Sequence, residues 1–451
     1  PAVSPNPTPT PSPTPAPRPS RSKKTSAWVF VLPVVALAFI GMCLLFSGGA
    51  AWVFRDSLFA RPAATLPTAT EASHNGKQPT VNPAGTPGHA GHATEIPIPA
   101  ANPTEIPPHD MNHPAGNASF GRVRFFNLNG FLDEVILTAT GIEPAPDGFQ
   151  YEAWLAGAEV RRSLGVLALD AAGNAEITFV DDKGGNLLTR YNRMEITLEP
   201  NPDSSPNPSG KVAYSSGIPP MALDHVKHLL VGYADTPNQT GMLVGQAQAA
   251  RLLNEHVAAM LGAYERKKAA EVRKNAEAMV NILVGKQGQG YGDLDKDGKV
   301  NDPSDGYGLL LNGGQEGYIE GTISHAGFAA DMPDASQPIR LHAGHVVISA
   351  KNTEGWASEL RDLLAKIIAD PLGADSNANI RLATSLADRI LNGRDLNGNE
   401  AIEPIEGEGG VKTALEHALY MLDMSIIAGA NRLPPPAPAE SAPVQPPGYG
   451  P

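Results

Sequence analysis

The feature that most constrains this chain is an uncharged run of 30 residues, 25–54, between Lys24 and Arg55 (TSAWVFVLPVVALAFIGMCLLFSGGAAWVF). About 20 apolar residues, rising ~1.5 Å each, cross a bilayer core. The run exceeds the ~7–15 apolar residues of a cleaved signal peptide. Trp28 and Trp52 stand near its two ends, where amphipathic rings prefer the membrane–water interface. The run predicts one transmembrane helix over 27–54. Arg18, Arg21, Lys23 and Lys24 precede it, whereas Arg55 and Arg61, mixed with Asp56, follow. That basic bias places the N-terminus in the cytoplasm and the bulk of the chain outside the cell membrane.

Composition then separates tether from folded chain. Gly (46) and Pro (43) make up about a fifth of the 451 residues, against a usual ~12 %. The prolines concentrate in a Pro/Thr-rich segment, 1–26, a His/Pro-rich linker, 55–119, and a Pro-rich tail, 431–451, all three expected to be disordered. A net charge of −13 excludes a general nucleic-acid binder, which needs a basic surface. The single cysteine, Cys43, excludes a disulfide framework and a cysteine-ligated zinc site. The chain opens on Pro1, so a further N-terminal piece is expected.

Two folded regions are expected between the tethers. Over 120–216, VRFFNL, EVILTATG, YEAWLAG, SLGVLALD, AEITFV and MEITLEP read as short strands separated by turn residues. This pattern predicts a small antiparallel β-sandwich. Over 219–430 the period becomes helical, with helices expected at 221–233, 242–263, 265–284, 340–351, 353–370, 378–392 and 411–427. The result is an all-α bundle with two acidic loops. A degenerate repeat runs through it: DHVKHLLV around His225 and His228 resembles LHAGHVVI around His342 and His345, with KNAEAMVNILVG and LEHALYMLDM as further copies.

The acidic loops read as calcium sites. Calcium takes six to eight oxygens, and carboxylates at loop positions 1, 3 and 5 supply the first. In Asp293-Leu-Asp295-Lys-Asp297-Gly298-Lys299-Val-Asn301 those positions are acidic, Gly298 permits the turn, Lys299 offers its carbonyl and Asn301 a further oxygen; Ser304 stands at position 12, where Asp302 or Asp305 substitutes for the usual Glu. In the second loop Asp395, Asn397, Asn399, Ala401, Glu403 and Glu406 occupy the equivalent positions. Both loops resemble EF-hand and dockerin loops.

Histidine pairs form a second constellation. His225 with His228, and His342 with His345, are spaced i, i+3 and share a helix face. Each pair serves either as two ligands for copper, nickel or zinc or as hydrogen-bonded core histidines. The linker histidines His74, His89, His92, His109 and His113 serve either as chelators of the same ions or as a polar spacer. No GxSxG elbow, P-loop or HExxH occurs, so a non-enzymatic protein is expected.

The β region is similar to the extracytoplasmic domain of the anti-sigma-K factor (RskA-like) family. The carrying residues are Tyr151-Glu-Ala-Trp154-Leu155, Leu164-Gly165, Asp170-Ala-Ala-Gly173, Thr197-Leu-Glu199-Pro200 and Pro206-Asn-Pro-Ser-Gly210. The resemblance implies a membrane-anchored bacterial sensor or regulator whose cytoplasmic partner is a sigma factor and whose outer part meets other envelope proteins. Only 24 residues precede the uncharged run, so either a sigma-binding segment lies upstream or the outer domain serves another scaffold. The alternative is an envelope metal-binding protein with no sigma-factor role.

Overall fold

The computed structural model describes residues 118–438, all within one compact unit, 58–451. The expected span 27–54, the two tethers before residue 118, the linker histidines and the tail beyond 438 lie outside the described residues. Among the described residues no helix is long and apolar enough to cross a membrane.

The β region forms strands where alternation places them: β1 Ser119–Phe126, β2 Glu134–Ala139, β3 Phe149–Ala156, β4 Arg161–Val166, β5 Ala175–Val180, β6 Arg193–Pro200 and β7 Val212–Gly217. Val123 and Phe125 of β1, with Val135 and Leu137 of β2, point inward and are buried. All pairings are antiparallel. Instead of the expected two-sheet sandwich, the strands form one eight-stranded sheet ordered β4-β3-β6-β7-β8-β1-β2-β5, because one further strand joins β7 to β1. The sheet curls so that its two edge strands approach each other, and Arg162 of β4 lays its guanidinium 5.1 Å from the ring centre of Phe179 on β5.

The eighth strand is the departure from expectation. β8, Met424–Ala428, comes from the far end of the helical region, yet it pairs with both β1 and β7. The sequence reads 411–427 as one helix. The structure ends that helix at Tyr420, and Asp423, one residue before β8, binds Arg124 of β1 through Nε–Oδ2 at 2.7 Å. The local apolar period continues through Ile427, but sheet pairing and this ion pair decide the conformation.

Seven α-helices follow β7 among the described residues: α1 Pro220–Leu230, α2 Met242–Glu265, α3 Ala269–Val284, α4 Tyr318–Asp331, α5 Gln337–Ala369, α6 Ser376–Asn392 and α7 Val411–Tyr420. Besides α7, two differ from expectation. The segments 340–351 and 353–370 are one continuous helix of 33 residues. And α4, YIEGTISHAGFAAD, was not expected, because Gly321, Thr322 and Gly327 lower its local helix propensity; at its start the Gly317 amide donates to the Glu320 carboxylate at 3.2 Å. One apolar cluster joins the sheet to the helices, running from Val123 through Val226 and Leu360 to Ile426.

The helices repeat. A first half (α1, α2, α3, acidic loop, α4) matches a second (α5, α6, acidic loop, α7), with α5 standing for α1 and α2 fused. The helix before each loop ends in a glycine at positive φ, Gly285 (68°) and Gly393 (79°). Within each loop, Lys296 and Gly398 adopt positive φ at position 4, and Gly298 and Glu400 at position 6.

Candidate metal centres

Helix α1 is set against α4 by its N-terminus: the Met221 and Ala222 amides donate to the Asp334 carboxylate, at 2.7 and 3.1 Å, from the connector after α4. This brings His225 and His228, on one face of α1, onto His325 of α4. The Nδ1 atoms of His225 and His325 are 3.5 Å apart, and those of His228 and His325 3.3 Å. Burial, followed by the charge His228 and His225 would carry, lowers His325 to about 4. Burial, followed by His225, also lowers His228, and Asp224 opposes the shift. Tyr233 and Phe328 wall the cluster, with the Tyr233 ring centre 4.8 Å from that of His325 and Phe328 5.9 Å away.

The second half builds the same object. His342 and His345, near the start of α5, meet His417 of α7, with Nδ1–Nδ1 separations of 2.8 and 3.2 Å. His342 and His417 are buried, and their rings stack at 29°. Tyr420 packs on His342 at 5.1 Å and carries the Arg124 guanidinium 5.5 Å from its ring centre. This centre therefore sits directly behind the Arg124–Asp423 pair. The structure brings together both HxxH pairs and adds to each a histidine that the sequence reading did not assign as a ligand. The signal was present: His325-Ala-Gly-Phe328 and His417-Ala-Leu-Tyr420 share a His-Ala-x-aromatic spacing.

A third copy of the repeat shows what a packed histidine looks like here. Asn275 stands in the first histidine position on α3, and His256 Nδ1 lies 3.0 Å from its Oδ1, beside a cavity of about 310 Å³ also lined by Lys274 and Asp302.

The acidic loops share one scaffold. In the first, the Asp293 carboxylate accepts the amides of Asp297 (3.1 Å) and Gly298 (2.9 Å). In the second, Asp395 accepts those of Asn399 (3.3 Å) and Glu400 (2.9 Å). Lys299 donates its amide to Asp297, and Ala401 to Asn399, both at 2.9 Å. A helical asparagine pins each loop: the buried Asn281 side chain donates to the Gly292 and Asn301 carbonyls, and the half-buried Asn352 side chain to those of Ile405 and Gly409.

The sequence reading missed the buried glutamates beneath the loops. Glu277 of α3 accepts the Leu294, Asp295 and Asn301 amides at 2.7–2.9 Å, and Glu408 accepts those of Leu396 and Glu403. Their different origins, one from a helix and one from the loop itself, hid the equivalence.

The loops differ in what faces their centres. In the first, Glu277, Asp293 and Asp295 offer carboxylate oxygens within 4.8 Å of one another, and burial with these acidic neighbours raises Asp295. Asp305 turns away to accept the Tyr318 hydroxyl at 2.5 Å. In the second, the Asn397 and Asn399 amides both donate to Glu403, at 2.7 and 3.0 Å, while Glu406 is exposed. The first loop gathers negative charge; the second occupies its Glu403 carboxylate with its own amides.

Residues 111–212 match the family described as anti-sigma-K factor rskA, C-terminal. The motif residues have structural duties within it. Trp154 is 3 % exposed and donates Nε1–H to Thr197 Oγ1 at 2.9 Å. Buried Glu199 accepts the Ser209 amide at 2.9 Å, which fastens the loop between the TLEP and PSG motifs. Asp170 accepts the Ala172 and Asn174 amides, both at 2.8 Å, and Gly173 supplies the positive φ of 80° that its turn needs. No curated protein and no solved structure matches the chain.

Proposed function

We propose that this chain is a regulator of anti-sigma-factor type, anchored in the bacterial cell membrane by 27–54, with the sheet and helices of 118–438 as its extracytoplasmic sensing part. The match of residues 111–212 to the RskA C-terminal family supports a regulator of this type in general. The observation that carries the sensing role is β8: the RskA-type sheet is completed by a strand of the helical region. A change in the helices therefore reaches the sheet through main-chain pairing. The cytoplasmic partner in this reading is a sigma factor, met by chain on the N-terminal side of the span.

Transcript profiling of a deletion strain tests the reading. Loss of the protein is expected to derepress a set of genes whose promoters share one recognition sequence, with restoration by the complete gene. Unchanged transcripts would refute it. Topology is tested separately: Ser119→Cys and Ser204→Cys, both at exposed positions, are expected to react with an impermeant thiol reagent on whole cells. Labelling only after lysis would reverse the orientation.

Calcium belongs to the same reading, as a staple in the first loop. Its support is the carboxylate set at loop positions 1 and 3 over Glu277. The second loop, with Glu403 occupied by its own amides, offers calcium less.

A further inference from the structure

Three imidazoles meeting through Nδ1 atoms are a poor way to satisfy one another. In the first centre, the Nδ1 of His325 faces two other Nδ1 atoms, at 3.5 and 3.3 Å. A neutral ring nitrogen carries either one proton or one lone pair, so His325 makes at most one well-formed hydrogen bond to the pair. His256 shows the ordinary alternative in this protein, an imidazole facing an amide oxygen. A cation at the meeting point uses all three lone pairs at once.

The distances suit such an ion. Zinc–imidazole bonds are about 2.0–2.1 Å, which makes the N–N edge of a tetrahedron roughly 3.3–3.4 Å. The first centre shows 3.3 and 3.5 Å; the second, at 2.8 and 3.2 Å, is slightly tighter. The same three-histidine geometry is kept in both halves of the repeat, although helix continuity, loop charge and the source of the buried glutamate have all diverged between them. Three imidazole nitrogens without carboxylate or thiolate select against calcium and magnesium and suit zinc, copper or nickel. Three protein ligands leave a fourth position open, as at exchangeable and catalytic zinc sites.

We propose that His225, His228 and His325 form one binding site for a divalent transition-metal ion, and His342, His345 and His417 a second, equivalent one. The assignment goes beyond the regulatory reading and does not depend on it: metal binding and transcript changes are measured separately, and either can fail alone.

The test uses the full chain, stripped with chelator and equilibrated with zinc, then with cobalt(II) as a spectroscopic probe. His325→Gln and His417→Gln are each expected to lose about one equivalent of tightly held zinc, and the double variant two, relative to wild type. The linker histidines are present in every variant and so cancel. His256→Gln is the control and should retain the full amount. Wild-type cobalt protein is expected to give the intense visible absorption of a four-coordinate ion, reduced by half in each single variant. Equal zinc content in wild type and the double variant would overturn the proposal. So would a weak, six-coordinate cobalt spectrum from the wild-type protein, a result that does not depend on any variant folding.

Discussion

Trp154 and Asp423 show how differently single residues serve the fold. Trp154 is buried, and its indole N–H is satisfied by Thr197. Trp154→Ala is expected to cost about 3–5 kcal/mol in a urea titration, as for other buried aromatics. Thr197→Val, which only unpairs the indole, is expected to cost about 1–3 kcal/mol. Asp423 works against its own charge. Its side chain is 12 % exposed, and burial, opposed by Arg124 and Arg122, pushes its carboxyl up to about 6. A folded value above the unfolded one, ~3.9, means that the folded state holds the proton more tightly. The group therefore favours folding below about pH 4, and that contribution is lost as pH rises through about 6. The stability of wild type minus that of Asp423→Asn, measured by urea in chelator, is expected to fall by about 2 kcal/mol between pH 4 and 7. A flat difference would place the carboxyl in ordinary solvent.

At the level of elements, the long periodic helices were legible because each buries a continuous stripe on the core; α6 and α2 lie within two residues of their expected bounds. What stayed hidden depends on contacts far apart in sequence. α4 has two glycines in its interior and is held by its packing on α1 and α5, so the third histidine of the first centre could not be placed on a helix. Glu277 gave no sign that it lies under a loop beginning 16 residues later. In the first loop the side chains at positions 1, 3 and 5 each bond a nearby amide, so its turn was legible. The calcium staple proposed for it predicts a cation dependence. A ligand that binds only the folded form stabilises it by RT ln(1 + [L]/Kd), so extracellular-type affinities of ~10⁻⁴–10⁻³ M in millimolar calcium give roughly 1 kcal/mol. Melting of the full chain is expected to rise by about 1–3 °C over chelator. Asp295→Ala should abolish that rise and Asn397→Ala should leave it. Identical melts in calcium and chelator would make both loops ordinary acidic turns.

For the whole molecule, the expected division between a β domain at 120–216 and a helical domain at 219–430 meets a sheet that takes one central strand from beyond it. A fragment ending at Gly217 keeps β1–β7 but leaves β1 and β7 with no strand between them, and it loses Met424 and Ile426 from the core. Fragment 118–217 is expected to show no cooperative melting transition, whereas 118–438 is expected to show one; a cooperative transition from the shorter piece would show that β8 is dispensable. The same arrangement sets a timetable for synthesis. β7 ends at Gly217 and β8 starts at Met424, so at about 5–20 residues per second the ribosome needs roughly 10–40 s to deliver the missing strand. Throughout that interval two facing strand edges stand open, and open edges accept any strand that fits them. The best-fitting competitor is the newly made β8 of a neighbouring copy whose own sheet has not yet closed. Crowded synthesis on one messenger therefore favours strand-exchanged dimers, each sheet closed by the other chain's tail.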